Sequence, residues 1–230
     1  MSNQTSSVDR STLRHAAMWL LAASLGWWVA VAALIPSDDF FVGEDAREEA
    51  ISIARNAGMF RAFHLVAVLA TAAGAVGVVL ISRALRAERP STLAPILART
   101  AAALAIAGLA AWIVEAALRA TTTVSRAQDV LDGSRAPGDE PAIGNWAVFA
   151  IAALGFVAPM VCTWALARAR VPAGRGIIVV AAFTTLVTVG AIAMLAPSLV
   201  YQFAVPSVSI FVLIRTRQSS TVRTAALAGD

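Results

Sequence analysis

Glu115 is the one Asp, Glu, Lys or Arg side chain within the apolar runs of this sequence, and it is the first residue to consider for chemistry. If its run crosses a membrane, a carboxylate left in hydrocarbon costs at least about 2.5 kcal/mol, so it needs a partner or a function. Arg119 follows four residues later on the same helix face and predicts an ion pair that reaches the interface. His64, expected to enter its own run from the same side, is the alternative partner through a hydrogen bond. The sequence leaves both pairings open.

Other polar and aromatic residues are expected at the same depth as this carboxylate. Trp112 lies one turn before Glu115 on its face, and further residues begin the fourth and sixth apolar runs. The predicted ligand-binding residues are His64, Trp112, Glu115, Trp146, Tyr201 and Gln202. Because a binding pocket is mostly apolar with a few convergent polar groups, we expect these side chains to face one cavity that opens outward.

Residue counts exclude most cofactor chemistry. The chain has two histidines, one cysteine and one tyrosine, too few for a thiolate zinc site, a disulfide framework or a haem with several axial histidines. His15 and His64 are expected on opposite sides of the membrane, so they cannot share a metal. No Gly-x-Ser-Gly motif is present, and neither histidine is deep enough to activate a serine. We therefore expect no metal, no cofactor and no enzymatic activity.

The composition places these residues in a membrane protein. Hydrophobic residues make up 59% of the 230-residue chain and charged residues 14%, and the mean hydropathy is +0.75. A transmembrane helix needs about 20 apolar residues, so the length suffices for roughly six spans in one membrane domain. The predicted spans lie near 16–35, 62–82, 100–118, 146–167, 176–196 and 198–214. The predicted fold is an all-α polytopic helix bundle over 16–214, between tails at 1–15 and 215–230.

Arginine placement predicts the orientation of the bundle. Twelve arginines and three acidic residues lie in one set of segments, at 1–15, 83–99, 168–175 and 215–230. Six arginines and ten acidic residues lie in the other set, at 36–61 and 119–145. The positive-inside rule puts the arginine-rich set and both termini in the cytoplasm. Since the basic residues follow the membrane in this way, the net charge of +4 does not predict a nucleic-acid partner.

Two span boundaries have an alternative interpretation. The first run follows Arg10 and Arg14 and contains Ala30-Val31-Ala32, which are features of a cleaved secretory signal. Its apolar core exceeds the roughly 7–15 residues of a signal, so we expect a retained helix. Between runs five and six, Ala196-Pro197-Ser198 favours a tight turn over a kink. A single helix over 176–214 would be about 58 Å long, nearly twice the hydrocarbon thickness.

Small residues four apart predict where the helices touch, because they let two backbones approach closely. They recur at Ala22, Gly26 and Ala30, at Ala73 and Gly77, and at Ala103, Ala107 and Ala111.

The two predicted outer loops differ in pattern. Residues 44–60 carry acidic residues first and an arginine later, while Ile53, Ala57 and Phe60 share one face. This pattern predicts a short amphipathic helix lying on the outer membrane surface. The stretch 121–145 is rich in proline and glycine turn signals, so it should be irregular and mobile after at most one short helix.

Residues 47–99 also resemble a known family. A surface segment ends in Met59-Phe60-Arg61, a long second span closes on Ile81-Ser82-Arg83-Ala84-Leu85, and Pro90 precedes the third span. This pattern resembles a broad family of uncharacterised bacterial multi-pass membrane proteins that is known only as a domain of unknown function. The resemblance implies a bacterial inner-membrane location and six or seven helices, and it assigns no catalytic or binding residues.

Taken together, these patterns favour a non-enzymatic protein that binds a membrane lipid, a small amphiphile or a partner protein through the outer-leaflet cavity. The alternative is a small membrane transporter. Transport normally needs polar or ionisable groups near the bilayer midplane, often on broken helices, whereas here the candidate groups are expected at one depth. A water-filled path to the midplane beside Pro159 or Pro206 would favour the transporter. No feature of the sequence specifies an oligomeric state.

Overall fold

Helices form every regular element that the structure describes. The computed structural model describes residues 9–34, 46–85, 93–136, 143–171, 175–193 and 198–227. Its α-helices are α1 (Arg10–Leu34), α2 (Ala46–Arg55), α3 (Ala57–Leu85), α4 (Leu93–Leu118), α5 (Val124–Leu131), α6 (Ile143–Ala169), α7 (Gly176–Ala193) and α8 (Val205–Leu227). A first π segment, Arg119–Thr123, joins α4 to α5, and a second π segment, Val200–Ala204, leads into α8.

Four helices in the described ranges are long and apolar enough to cross a membrane. They are Ala57–Leu85, Leu93–Leu131, Ala150–Ala169 and Gly176–Ala193, and Val200–Thr216 is a shorter apolar helix. This confirms the all-helical class and supports a membrane protein. The count of six spans and the orientation of the termini stay predictions.

Close backbone contacts hold the helices together at glycine. A methyl group added at Gly155 of α6 would lie 2.8 Å from the Cα of Gly108 on α4, so these two backbones touch. Between α1 and α3, a methyl group at Gly26 would lie 2.8 Å from the Cβ of Ala70, and one at Gly77 would lie 2.7 Å from Leu20. The small residues predicted at 26 and 77 therefore lie in a helix contact, as expected for close packing.

The small-residue prediction for α4 named the wrong face of the helix at Ala103 and Ala107. Ala103 and Ala107 are exposed, whereas Ala101, Ala105 and Gly108 are buried against the neighbouring helices. Because alanine recurs on every face of α4, spacing alone did not identify the face that packs.

The helices α7 and α8 run antiparallel. A methyl group at Gly176, at the start of α7, would lie 2.7 Å from the ring of Phe211, which is well inside α8. The tight turn predicted at Ala196-Pro197-Ser198 lies outside the described residues except for Ser198, which is helical.

The predicted third span does not end at residue 118. The helix continues through the first π segment into α5 and ends at Leu131, so the one short helix allowed for in the stretch 121–145 is continuous with the third span. Part of the stretch 44–60 forms the helix α2, whose apolar residues pack on α5, and its placement on the outer membrane surface stays a prediction. Ile53 is buried against Val124 and Ala127 in a small apolar cluster. The face expected to contact lipid is therefore covered by protein.

Asp9 caps the first turn of α1. Its carboxylate accepts hydrogen bonds from the backbone N–H of Ser11 at 3.0 Å and from the hydroxyl of Thr12 at 2.5 Å. These bonds satisfy groups that the first helical turn leaves without a partner. Because they stabilise the ionised form, the hydroxyl of Thr12 above all, they lower the pKa of Asp9 below its ordinary value of 3.8.

Candidate functional site

Glu115 is fully buried and only half of its carboxylate is bonded. Its Oε1 accepts a hydrogen bond from Arg119 Nε at 2.7 Å, while Oε2 has no partner in the part of the chain that the structure describes. The Arg119 side chain is 40% exposed and that of Glu115 is 0% exposed. The ion pair expected from the sequence is therefore formed, but Arg119 reaches the surface while Glu115 stays inside.

His64 does not bond the carboxylate of Glu115 through Nδ1. The ring is buried, and Nδ1 donates a hydrogen bond to the carbonyl of Phe60 at 2.8 Å. Phe60 and Phe63 pack on the ring, with centroid distances of 4.4 and 5.2 Å. The alternative pairing with Glu115 is not made through this nitrogen, which the preceding helical turn already occupies.

Trp27 is the centre of an aromatic cluster that the sequence did not identify as a site. Its ring lies 5.9 Å from Trp112, 6.0 Å from Phe156 and 5.8 Å from Tyr201, on which it stacks at 29°. Phe63 approaches its edge at 6.5 Å. These five residues, the aromatic cluster, come from α1, α3, α4, α6 and the second π segment. An indole deep in an apolar helix, away from either interface, was the only sequence signal for Trp27.

Two indoles of this cluster lack a hydrogen-bond acceptor. Trp27 Nε1 and Trp112 Nε1 are buried and have no partner within the described ranges, like Glu115 Oε2. We call these three atoms the unpartnered polar set. The fourth such atom described, Ser82 Oγ, lies near the C-terminal end of α3. Indole N–H only donates and a carboxylate oxygen only accepts. Since most buried polar atoms in proteins are hydrogen-bonded, a set of three calls for partners such as ordered water or another bound molecule.

Tyr201 and Gln202 lie in the second π segment, whose geometry follows from Pro206. Proline has no N–H, so the carbonyl of Gln202, four residues earlier, cannot receive its usual helical hydrogen bond. The indole Nε1 of Trp28 donates to that carbonyl at 3.3 Å. A side chain of α1 thus replaces the missing backbone donor, which is how a helix break is tolerated in an apolar bundle.

The first π segment is bonded in the same way. The N–H of Val124 bonds the carbonyl of Thr121 rather than that of Ala120. Arg61 Nε, from α3, donates to the carbonyl of Ala120 at 3.1 Å. Each π segment is therefore tied to another helix by one side chain, and π segments of this kind occur frequently at functional sites.

The predicted site residues do not lie at one depth. A methyl group added at Gly74 would lie 2.5 Å from the Tyr201 ring. Gly74 is ten residues beyond His64 on α3, which is about 15 Å along the helix. Trp27 contacts both Trp112 and Tyr201, and Glu115 lies one turn from Trp112. The predicted site residues are therefore spread along the bundle axis. Trp146 lies in α6, but its side chain is outside the described part.

The described cavity near the middle of the bundle is small and apolar. Its volume is about 10 Å³, and it is lined by Leu20, Val78, Pro159, Cys162, Val205 and Val208. No three His, Cys, Asp or Glu side chains in the described part of the chain are placed to hold a metal ion.

Comparisons with known proteins do not identify the chain. No family model, no curated protein and no solved structure matches it. The resemblance of residues 47–99 to a family of uncharacterised membrane proteins therefore stays a prediction, and any function has to be argued from the site.

Proposed function

We propose that this chain is a non-enzymatic protein of the bacterial inner membrane that binds a small amphiphile or lipid at the unpartnered polar set. The observation that carries the proposal is the fully buried Glu115 Oε2, one turn from the unpartnered N–H of Trp112. Leaving a buried polar group unpartnered costs about 1–3 kcal/mol. A ligand that bonds both atoms removes this cost, so the site gains most from a molecule carrying polar atoms on an apolar body.

The proposed bundle has six spans with both termini in the cytoplasm. The helix α1 has 25 residues and is about 37 Å long, enough to cross about 30 Å of hydrocarbon. It also supplies Trp27 at the centre of the aromatic cluster, so the core is incomplete without it. Both facts favour a retained first span over a cleaved signal. The second π segment supplies Tyr201 in the same way and leads directly into α8, which supports a sixth span.

Reporter fusions test this orientation. An enzyme that works only in the periplasm should be inactive when fused after Arg223 and active when fused after Leu131, at the end of α5. Activity after Arg223 together with inactivity after Leu131 would reverse the proposed orientation. Activity at both sites would contradict the even number of spans.

A transporter is less well supported than a binding protein. The cavity beside Pro159 has the volume of about one water molecule and an apolar lining, so it does not favour a polar path at that level. The unpartnered polar set lies instead on α1 and α4, within or next to the aromatic cluster, which favours holding a bound molecule over passing it on.

Native mass spectrometry of the gently extracted protein tests the binding function. We expect a copurifying small amphiphile or lipid, and several-fold less of it in Trp112→Phe, which keeps an aromatic ring at this position and removes the N–H. Trp164→Phe is the matched control, because Trp164 Nε1 is already bonded to Thr185 Oγ1 at 2.9 Å. Equal retention by the two variants, or a bare protein throughout, would contradict the proposal. A copurifying subunit in place of a small molecule would point to a partner protein.

A further inference from the structure

We infer that Arg61 and Arg119, at neighbouring ends of α3 and α4, bind the head group of an anionic phospholipid. This inference needs the proposed membrane placement but no ligand at the unpartnered polar set. Arg61 directly precedes the predicted span 62–82, and Arg119 directly follows the predicted span 100–118. Both arginines are therefore expected at the boundary of the hydrocarbon, next to the layer of lipid phosphates.

Both guanidinium groups are anchored to the protein through the same nitrogen. Arg61 Nε donates to the carbonyl of Ala120 at 3.1 Å, and Arg119 Nε donates to Glu115 Oε1 at 2.7 Å. The two acceptors lie on one stretch of chain, 115–120, so the two side chains border the same short surface. Their terminal nitrogens, Nη1 and Nη2, have no hydrogen-bond partner in the part of the chain that the structure describes. Arg61 is exposed and the Arg119 side chain is 40% exposed, so a ligand can reach both from outside the bundle.

The terminal nitrogens specify a negatively charged acceptor. Guanidinium groups only donate, and their paired terminal nitrogens match two oxygens of a phosphate. Two guanidinium groups and the one carboxylate bonded to them leave one net positive charge, which one phosphodiester neutralises. The phosphate and glycerol ester oxygens of a phospholipid all accept, so the two arginines can bond one lipid at neighbouring points. Anchoring through Nε also lowers the cost of ordering these long side chains when the lipid binds.

Apolar side chains continue from this pair along the exposed surface of both helices. Leu65 and Leu69 follow Arg61 at intervals of four residues on one stripe of α3, and each is 61% exposed. On α4, Val114 and Leu118 are 49% and 37% exposed. An acyl chain that runs from the head group into the hydrocarbon meets such side chains, whereas a free phosphate ion uses none of them. This continuity favours a phospholipid over inorganic phosphate.

Native mass spectrometry of the full-length, delipidated protein with defined lipids added tests the inference. The probes are phosphatidylglycerol, phosphatidylethanolamine with the same acyl chains, the matching diacylglycerol, and inorganic phosphate. We expect phosphatidylglycerol to bind most tightly, because ethanolamine adds a positive charge beside the arginines and diacylglycerol lacks the phosphate. In Arg61→Gln the affinity for phosphatidylglycerol should fall about fivefold, the worth of one basic residue at a membrane surface.

Arg99→Gln is the matched control. Arg99 is an exposed arginine near the opposite end of α4, and within the described ranges no hydrogen bond anchors it. Its removal should change the affinity for phosphatidylglycerol by less than about twofold, because an unanchored arginine pays the full cost of ordering. Arg61→Lys keeps the charge, but one ammonium cannot bond Ala120 and also present a fork. Its affinity should lie between those of Arg61→Gln and the wild type, and it serves as the test variant if Arg61→Gln does not fold.

A spin-labelled lipid locates the binding site. Phosphatidylglycerol with a nitroxide on one acyl chain should broaden the methyl NMR signals of Leu65 and Leu69 more than those of Leu186 on α7. Leu186 is 72% exposed, so it reports contact with lipid that no head-group site holds in place. The excess broadening at α3 should disappear in Arg61→Gln.

The outcomes separate this inference from the proposed function. Equal affinities of wild type, Arg61→Gln and Arg99→Gln, or equal losses in the two variants, would overturn the site, since lipids then bind without it. Displacement of phosphatidylglycerol by an equal concentration of inorganic phosphate would overturn the assignment to a lipid. If Trp112→Phe lowers the affinity as much as Arg61→Gln does, the lipid belongs to the unpartnered polar set, and the proposed function stands without this site. A loss in Arg61→Gln but not in Trp112→Phe supports the site even if no amphiphile binds at the unpartnered polar set.

Discussion

Removing Arg119 should destabilise the bundle more than neutralising Glu115 does. In Arg119→Leu the carboxylate stays 0% exposed and loses the one hydrogen bond described for it. Breaking a fully buried ion pair in this way costs about 3–5 kcal/mol, and a single bond to a charged group is worth about 1.5–3 kcal/mol. Since Arg119 is 40% exposed, we expect a loss of about 2–3 kcal/mol in the free energy of unfolding.

Glu115→Gln should change stability by less than about 1 kcal/mol, because the amide keeps an oxygen for Arg119 and leaves no charge to desolvate. The double variant should then be more stable than Arg119→Leu alone, since no uncompensated charge is left inside.

Thermal unfolding in one detergent, with all variants free of added amphiphile, measures these differences. For a chain of this size, about 1 kcal/mol shifts Tm by roughly 2–4 °C, so Arg119→Leu should melt about 4–12 °C below the wild type. If Arg119→Leu and Glu115→Gln both have a Tm near that of the wild type, the ion pair contributes about 0–1 kcal/mol, as an exposed pair does. The reasoning from burial is then refuted. If the double variant is the least stable of the three, the carboxylate was not the source of the cost.

Three further predictions follow from other contacts. Gly108→Ala places a methyl group 2.7 Å from the backbone nitrogen of Gly155 on α6, so overpacking should lower the free energy of unfolding by about 1–3 kcal/mol. In the same denaturation assay, the control Gly190→Ala should cost nothing, because its methyl group meets nothing within 4 Å. Trp28→Phe removes the donor to the carbonyl of Gln202 and should destabilise the protein by about 0.5–1.5 kcal/mol, with faster hydrogen exchange confined to the second π segment. Exchange that rises evenly along the chain would argue against this role. In an NMR titration the Asp9 carboxyl should have its midpoint below 3.8, and Thr12→Ala should move the midpoint upward. Because the pKa of Asp9 is lower in the folded protein, the cap stabilises the first turn of α1 at a pH above the ordinary pKa. This stabilisation is lost as the pH falls through the pKa of the folded state. An unchanged midpoint in Thr12→Ala would exclude the hydroxyl as the cause of the shift.

The sequence predicted the class of fold and the chemistry of one residue well. Apolar runs of span length identify helices because every backbone group in a membrane must be bonded within its segment, and this holds whatever the helices contact. The pairing of Glu115 with Arg119 was also predictable, since a four-residue spacing is a property of a single helix. In each case the evidence lies within one segment.

What the sequence could not predict depends on contacts between segments. The face of α4 that packs was misplaced because alanine occurs on all of its faces, and Trp27 entered the site only because four other elements place rings around it. The apolar face of α2 was assigned to lipid because the sequence did not show that α4 extends into α5, which covers this face. That extension crosses a π segment rich in threonine. Of the two π segments, only the second had a local signal, Pro206, and the hydrogen bond from Trp28 to the carbonyl of Gln202 depends on the neighbouring helix.

The arrangement of Trp27 and Trp112 also gives the protein an optical signature. Two indole rings with centroids 5.9 Å apart and planes inclined by 43° couple their electronic transitions, so their near-ultraviolet circular dichroism is a joint property of α1 and α4. The stacked Tyr201 adds the second π segment to the same chromophore assembly. Loss of this exciton signal with unchanged helical content therefore reports separation of these helices without unfolding of any one of them, and it needs no attached label.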